Sequence, residues 1–232
     1  GEVRGEAFTV IARSNAGLVE ALVELDPPWA HVVGGVENLL WLLQDAEALR
    51  RGGERERPHP DLVLARSWAD LERLAEEVGE PSAGVLLRLA ERFGDLNALA
   101  QIIATRWTSR EGGSVVLSTA HRAKGREWDQ VLLWGDFPQV WREGERERFL
   151  KEEGGRQALA EAVNLLYVAT TRARRLLALP PELAPFWEGA APSSSGREER
   201  LLQAIERLER RVEALEEEVL ALRRQVAGLP PL

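Results

Sequence analysis

Apolar residues in the first fifty positions alternate between short solid runs and helically spaced sets. Phe8–Arg13 (FTVIAR) is a solid run that predicts a short buried strand. Ser14-Asn15 follow it and suit the cap of a helix near Ala16–Leu25. Trp29–Val33 predicts a second strand, closed by Gly34-Gly35. Val36, Leu39, Leu40, Leu43 and Ala46 then give Val36–Arg51 the spacing of a helix. A βαβα order of this kind predicts a parallel α/β sheet.

From about Gly52 to Gly113 the pattern turns helical. A polar bridge through Pro58-His59-Pro60 leads to three helical patterns, Ser67–Val78, Pro81–Arg92 and Asp95–Trp107, broken at Gly79 and Gly94. We read residues 53–112 as an inserted helical subdomain, with a plain helical layer of the same domain as the alternative. Strand patterns return at Ser114–Thr119 and Gln130–Trp134. Gln157–Arg174 predicts an amphipathic helix and Leu176–Leu179 a final strand. The sheet-forming domain is therefore discontinuous, 1–52 and 113–187.

The composition of 188–196 (EGAAPSSSG) predicts a flexible linker. Beyond it, 197–229 carries heptads, with Ser195 and Glu198 at capping-box spacing. Ile205, Val212, Val219 and Val226 hold one heptad position; Leu201, Leu208, Leu215, Leu222 and Leu229 hold the other. β-Branched residues at a with leucine at d favour a parallel two-stranded coil. A homodimer, another protein partner and a helix folded back on its own domain are the three readings of this tail.

Composition narrows the class. No apolar run approaches the roughly 18 residues that cross a membrane, and no signal peptide opens the chain, so we expect a cytoplasmic protein. There is no cysteine, which excludes disulfides and thiolate metal sites, and the three histidines have no metal-binding spacing. There is also no methionine, so we expect a piece of a longer protein. The formal charge of −8 weighs against a free-standing domain that holds nucleic acid by phosphate neutralisation alone. Any such contact must be local.

Two polar segments carry candidate chemistry. Ser118–Asp129 (STAHRAKGREWD) leaves the end of a predicted parallel strand, where α/β sheets bind ligands. His121, Arg122 and Lys124 suit backbone phosphates, and Glu127 suits a sugar hydroxyl. The second segment, Glu161–Arg175, ends in arginines that spacing alone explains as partners of a helix dipole.

Together the segments are specific. STAHRAKGREWDQVLL resembles the fifth motif of UvrD/Rep-type superfamily 1 DNA helicases, roughly T-x-H-x-A-K-G-L-E-[FW]-x-x-V. EAVNLLYVATTRAR resembles the sixth, and Ala12–Ala16 resembles the family's YRSNAQ segment. Gly135-Asp136-Phe137-Pro138 and the EAVNLLYVA form look most like the F-box DNA helicase branch. Arg126 departs from the usual leucine, and Ala162 from a second glutamate.

This resemblance implies a second RecA-like domain that completes an ATP cleft built mainly by another, N-terminal RecA-like domain. It implies that Arg172 reaches the γ-phosphate and that Gly125 and Glu127 approach the nucleotide, with ATP and Mg2+ held mainly by the other domain. Thr119, His121, Arg122 and Lys124 are implied on the single-stranded DNA side, and Tyr167 and Thr171 as the coupling between sites. The chain lacks G-x-x-x-x-G-K-[ST] and Walker-B surroundings. It is expected to be inactive alone, as half of a helicase. The alternative is a catalytically silent adaptor that binds a partner through its coil.

Overall fold

The computed structural model describes residues 7–78, 80–107, 115–140, 143–151, 154–181 and 183. The linker and the heptad positions Leu201 through Val226 lie outside the described residues.

Five strands form one all-parallel sheet in the order β2-β3-β1-β4-β5. They are β1 Phe8–Ala12, β2 Ala30–Val32, β3 Val115–Thr119, β4 Trp128–Leu133 and β5 Ala173–Ala178. The centre is β1, an apolar run buried on both faces, as a covered parallel strand must be. Its alternation divides the core. Val10 and Ala12 join a cluster with helices α1 (Asn15–Leu25), α2 (Glu37–Arg50), α4 (Pro81–Phe93) and α5 (Leu96–Arg106). Ile11 joins a second cluster, with Val131, Leu133, Phe137 and residues of α6 (Ala120–Ala123) and α8 (Gly155–Thr170). The remaining helices are α3, Trp68–Arg73, and α7, Glu143–Lys151.

Several boundaries differ from the sequence reading. The predicted helix Ser67–Val78 is α3 followed by a π-helical turn, Leu74–Val78. The predicted helix Gln157–Arg174 stops at Thr170, and the chain enters β5 at Ala173 rather than Leu176. The cause is tertiary: the Arg172 carbonyl accepts the Trp128 N–H at 2.9 Å, which draws the chain alongside β4. Strand β4 likewise begins at Trp128, within the segment read as a polar loop, and α6 forms there under the Thr119 side chain.

Within 53–112, Leu62, Leu71, Leu86, Leu89, Leu99 and Ile103 share the cluster of Val10 and Leu117. Two buried ionic knots hold these elements. Glu47 accepts from Arg50 at 2.8 Å, Arg51 at 2.6 Å and the Leu96 N–H at 3.1 Å, tying α2 to the start of α5. Burial raises its pKa, but these hydrogen bonds outweigh burial and bring it down to about 2. Asp45 pairs with Arg55 at 2.5 Å and accepts the His59 N–H at 2.7 Å. No helix among the described residues is long and apolar enough to cross a membrane.

Candidate functional site

A parallel sheet has two distinct ends, and this one assembles different chemistry at each. At the carboxyl end, β1 delivers Arg13, Ser14 and Asn15, and β3 delivers Thr119, His121 and Arg122, around a cleft of about 330 Å³. Two acidic residues of 53–112 close it: Asp61 accepts from Asn15 Nδ2 at 3.0 Å, and Glu80 pairs with Arg13 at 2.9 Å.

The floor of this end rests on one carboxylate. Asp136, 4% exposed, follows β4 and accepts three hydrogen bonds: Arg13 N–H at 2.8 Å, Ser14 N–H at 2.8 Å and Ser14 Oγ at 2.7 Å. Burial pushes its pKa up, against those hydrogen bonds and the Arg13 charge. The same Ser14 Oγ accepts the Gly17 N–H at 3.0 Å and caps α1. Gly17 is small of necessity, since a Cβ there would lie 2.1 Å from an Asp136 oxygen.

Of the residues expected on the single-strand side, Thr119 is buried, and its Oγ1 accepts the Arg122 N–H at 3.4 Å. His121 is exposed, with Nε2 3.7 Å from Glu161. Arg122 donates to the Val33 carbonyl at 2.9 Å and lies against Gly34, whose φ of +86° no side chain would share comfortably. Lys124 ends α6 and lines a second groove, of about 420 Å³, between α6 and α8.

The amino end gathers the other set. Because β3 and β4 run parallel, the chain from Ala120 to Glu127 must travel from one end of the sheet to the other. The ends are about 16 Å apart, five steps of about 3.3 Å along β4. There Arg172, at the turn between α8 and β5, donates to the Val168 carbonyl at 2.8 Å, the Arg126 carbonyl at 3.1 Å and Thr171 Oγ1 at 2.9 Å. Gly125, at φ +79°, has open space where a side chain would stand. Glu127 pairs with Arg174 at 3.0 Å, both side chains more than half exposed. Tyr167 is exposed, and Thr171 Oγ1 donates to its carbonyl at 2.9 Å. So Arg172, Gly125, Glu127, Tyr167 and Thr171 are neighbours, while Thr119, His121 and Arg122 stand at the far end.

Reading for site residues alone missed Asp136 and the cleft roles of Arg13, Asn15, Glu80 and Glu161. Arg13 to Asn15 carried a signal in directly following the central strand. Asp136 carried none beyond its place in Gly-Asp-Phe-Pro.

Comparison with known proteins identifies the family of the chain. Residues 38–180 match the model of the UvrD-like helicase C-terminal domain. The F-box DNA helicase protein 1 of Schizosaccharomyces pombe is 30% identical over 193 residues, 77% of this chain and 21% of that protein. The F-box DNA helicase 1 of Gallus gallus is 28% identical over 205 residues, 79% of this chain and 20% of that protein. A probable DNA helicase II homolog of Rickettsia felis is 34% identical over 122 residues, 45% of this chain and 17% of that protein. The chain thus spans about a fifth of the length of the curated relatives it matches. Carrying the two helicase-like segments on a doubly covered parallel sheet, this chain belongs to the UvrD-like helicase C-terminal domain family.

Proposed function

We propose that this chain is the second RecA-like half of an ATP-dependent superfamily 1 DNA helicase. The observation that carries the reading is the meeting of the two motif segments at the amino end of the sheet: Arg172 bonds the Arg126 carbonyl, next to Gly125 and Glu127. Arg172 and residues 125–127, 45 to 47 positions earlier in the sequence, form one small surface cluster there.

The cluster fits a nucleotide held by a second domain. Gly125 leaves room for close backbone approach, and nothing stands within 4 Å of where its Cβ would be. Arg172 spends its donors on two carbonyls and a hydroxyl, neutral acceptors that a phosphate displaces through stronger, charge-assisted bonds. ATP with Mg2+ supplies the phosphoryl group whose transfer to water drives the motor. Arg172 would meet the oxygens on which charge develops, as a planar guanidinium does well. Glu127, released from Arg174, would take the ribose hydroxyls. Thr171 links Arg172 to Tyr167 and so ties the guanidinium to α8.

At the other end, His121 and Lys124 would hold single-stranded DNA, with Thr119 and Arg122 fixing the loop that presents them. Helix α6 and the turn after it join both ends, so domain closure over ATP shifts the strand-holding surface.

The test is single-strand-stimulated ATPase activity of the complete parent protein, wild type beside Arg172→Ala. A loss of about a hundredfold or more is expected for a preorganised charge at a transition state. Equal activity in both would reduce Arg172 to a helix-end charge and end the proposal.

A further inference from the structure

The groove between α6 and α8 is lined by both motif segments and by Gln157 and Ala160, one turn ahead of the second segment on α8. Gln157, Glu161, Asn164 and Val168 face it at helical spacing, four, three and four residues apart, and therefore form one stripe of α8. Across from them stand His121 and Lys124. Leu165, buried, and Val168 give the groove an apolar floor. Gln157, Asn164 and Lys124 are exposed, and among the described residues their side chains have no hydrogen-bond partner.

This is a surface for an amphipathic ligand. The floor takes a flat apolar face. Each amide offers two donors and an acceptor, which match a polar edge, and the ammonium takes an anion. The volume of about 420 Å³ lies in the range of small-ligand sites. The groove shares His121, Glu161 and Leu165 with the cleft at the carboxyl end of the sheet, so the two make one track. Its two amides stand away from the Arg172 cluster, which the groove meets only at Val168 and Lys124: Asn164 and Gln157 precede Arg172 by 8 and 15 residues, roughly 12 and 22 Å along a helix rising about 1.5 Å per residue.

We propose that this groove seats one nucleotide of the single strand, with Gln157 and Asn164 hydrogen-bonding the base edge and Lys124 holding its phosphate. The inference deepens the DNA-binding reading above and rests on it. Glu161 belongs to the same wall, 3.7 Å from His121 Nε2, and it repels phosphate. The phosphate is therefore expected on the Lys124 side and the base on the amide side.

The experiment titrates this chain with oligodeoxythymidylate, following side-chain amide resonances by NMR and affinity at several salt concentrations. The Gln157 and Asn164 amide signals should move on binding. The double variant Gln157→Ala, Asn164→Ala should bind about five- to twentyfold more weakly with an unchanged salt slope, because no counterion release is lost. Lys124→Ala should lower that slope by about 0.7, the share of one phosphate on a single strand. On an oligonucleotide abasic throughout, the double variant and wild type should bind alike. A double variant equal to wild type on oligodeoxythymidylate, while Lys124→Ala still weakens binding, would overturn this inference and leave the DNA-binding reading standing. No binding by the wild-type chain, even at millimolar strand, would overturn both.

Discussion

The two ends of the sheet are built on opposite physical plans. At the carboxyl end the chemistry-bearing loop is fixed from beneath. Asp136 is buried and takes three hydrogen bonds from Arg13 and Ser14, and Gly17 packs directly on it. At the amino end the charged groups lie in water. Arg174 and Glu127 pair with 60% and 51% of their side chains exposed, and Arg172 bonds neutral acceptors. A buried carboxylate fully satisfied by fixed donors holds one geometry, because losing a partner leaves a buried polar group unpaired. An exposed ion pair is cheap to exchange, because water replaces what the partner gave. Under the proposed function, the first plan would suit a surface that keeps its shape while a strand passes along it, and the second would suit groups that change partners when another domain closes.

Four substitutions break or sharpen this contrast. Asp136→Ala strikes the fixed end hardest. It leaves the Arg13 and Ser14 donors buried without an acceptor and should cost about 3–5 kcal/mol, read as a drop in the urea midpoint at unchanged m. A loss under 1 kcal/mol would mean that water reaches the site and that the loop is not clamped. Arg172→Ala comes next. The hundredfold fall in ATPase corresponds to about 2.7 kcal/mol of transition-state stabilisation, and the thermal midpoint of this chain should hardly move. A large loss of stability would assign Arg172 to the fold instead.

Gly17→Ala is a smaller test of the same clamp. An added methyl 2.1 Å from the Asp136 oxygen must push the carboxylate off its donors, at about 1–3 kcal/mol by analogy with overpacked cores. Since alanine is otherwise the better helix former, a gain in stability would show that the loop yields. The smallest effect belongs to Arg174→Ala, which removes an exposed pair and should change stability by less than about 1 kcal/mol. By freeing Glu127 it should leave the ATPase of the parent protein intact or slightly raised. A fall comparable to that of Arg172→Ala would make Arg174 part of the phosphate-binding machinery.

Much of this molecule was legible in the residues. The short apolar runs within Phe8–Ala12 and Val115–Thr119 read as buried strands and are strands, and the heavily apolar β1 fell where such a run belongs, at the centre of the sheet. The helices α1, α2, α4 and α5 appeared within a few residues of their predicted bounds, since caps such as Ser14 and Asp95 are local signals. The motif segments named the family because residue types at fixed spacing survive without any coordinates.

Other features depended on partners distant in the chain. Whether the residues from Ala173 continue a helix or enter a strand was decided by β4, whose Trp128 N–H needed an acceptor and found the Arg172 carbonyl. Local propensity cannot see such a bond, so the sequence reading carried the helix on to Arg174. Asp136 was marked in the sequence only by its place in Gly-Asp-Phe-Pro; the fold carried it 122 residues back to Ser14 and gave it its role. The two-ended site has the same origin. In sequence, Thr119 to Glu127 is one short segment; only the parallel pairing of β3 and β4 around β1 compels it to cross the sheet, leaving His121 at one end and Glu127 at the other. Composition and spacing determined which groups this chain carries and which family it joins. The hydrogen-bonded sheet decided which of them are neighbours, because strand pairing is a long-range constraint that no local pattern contains.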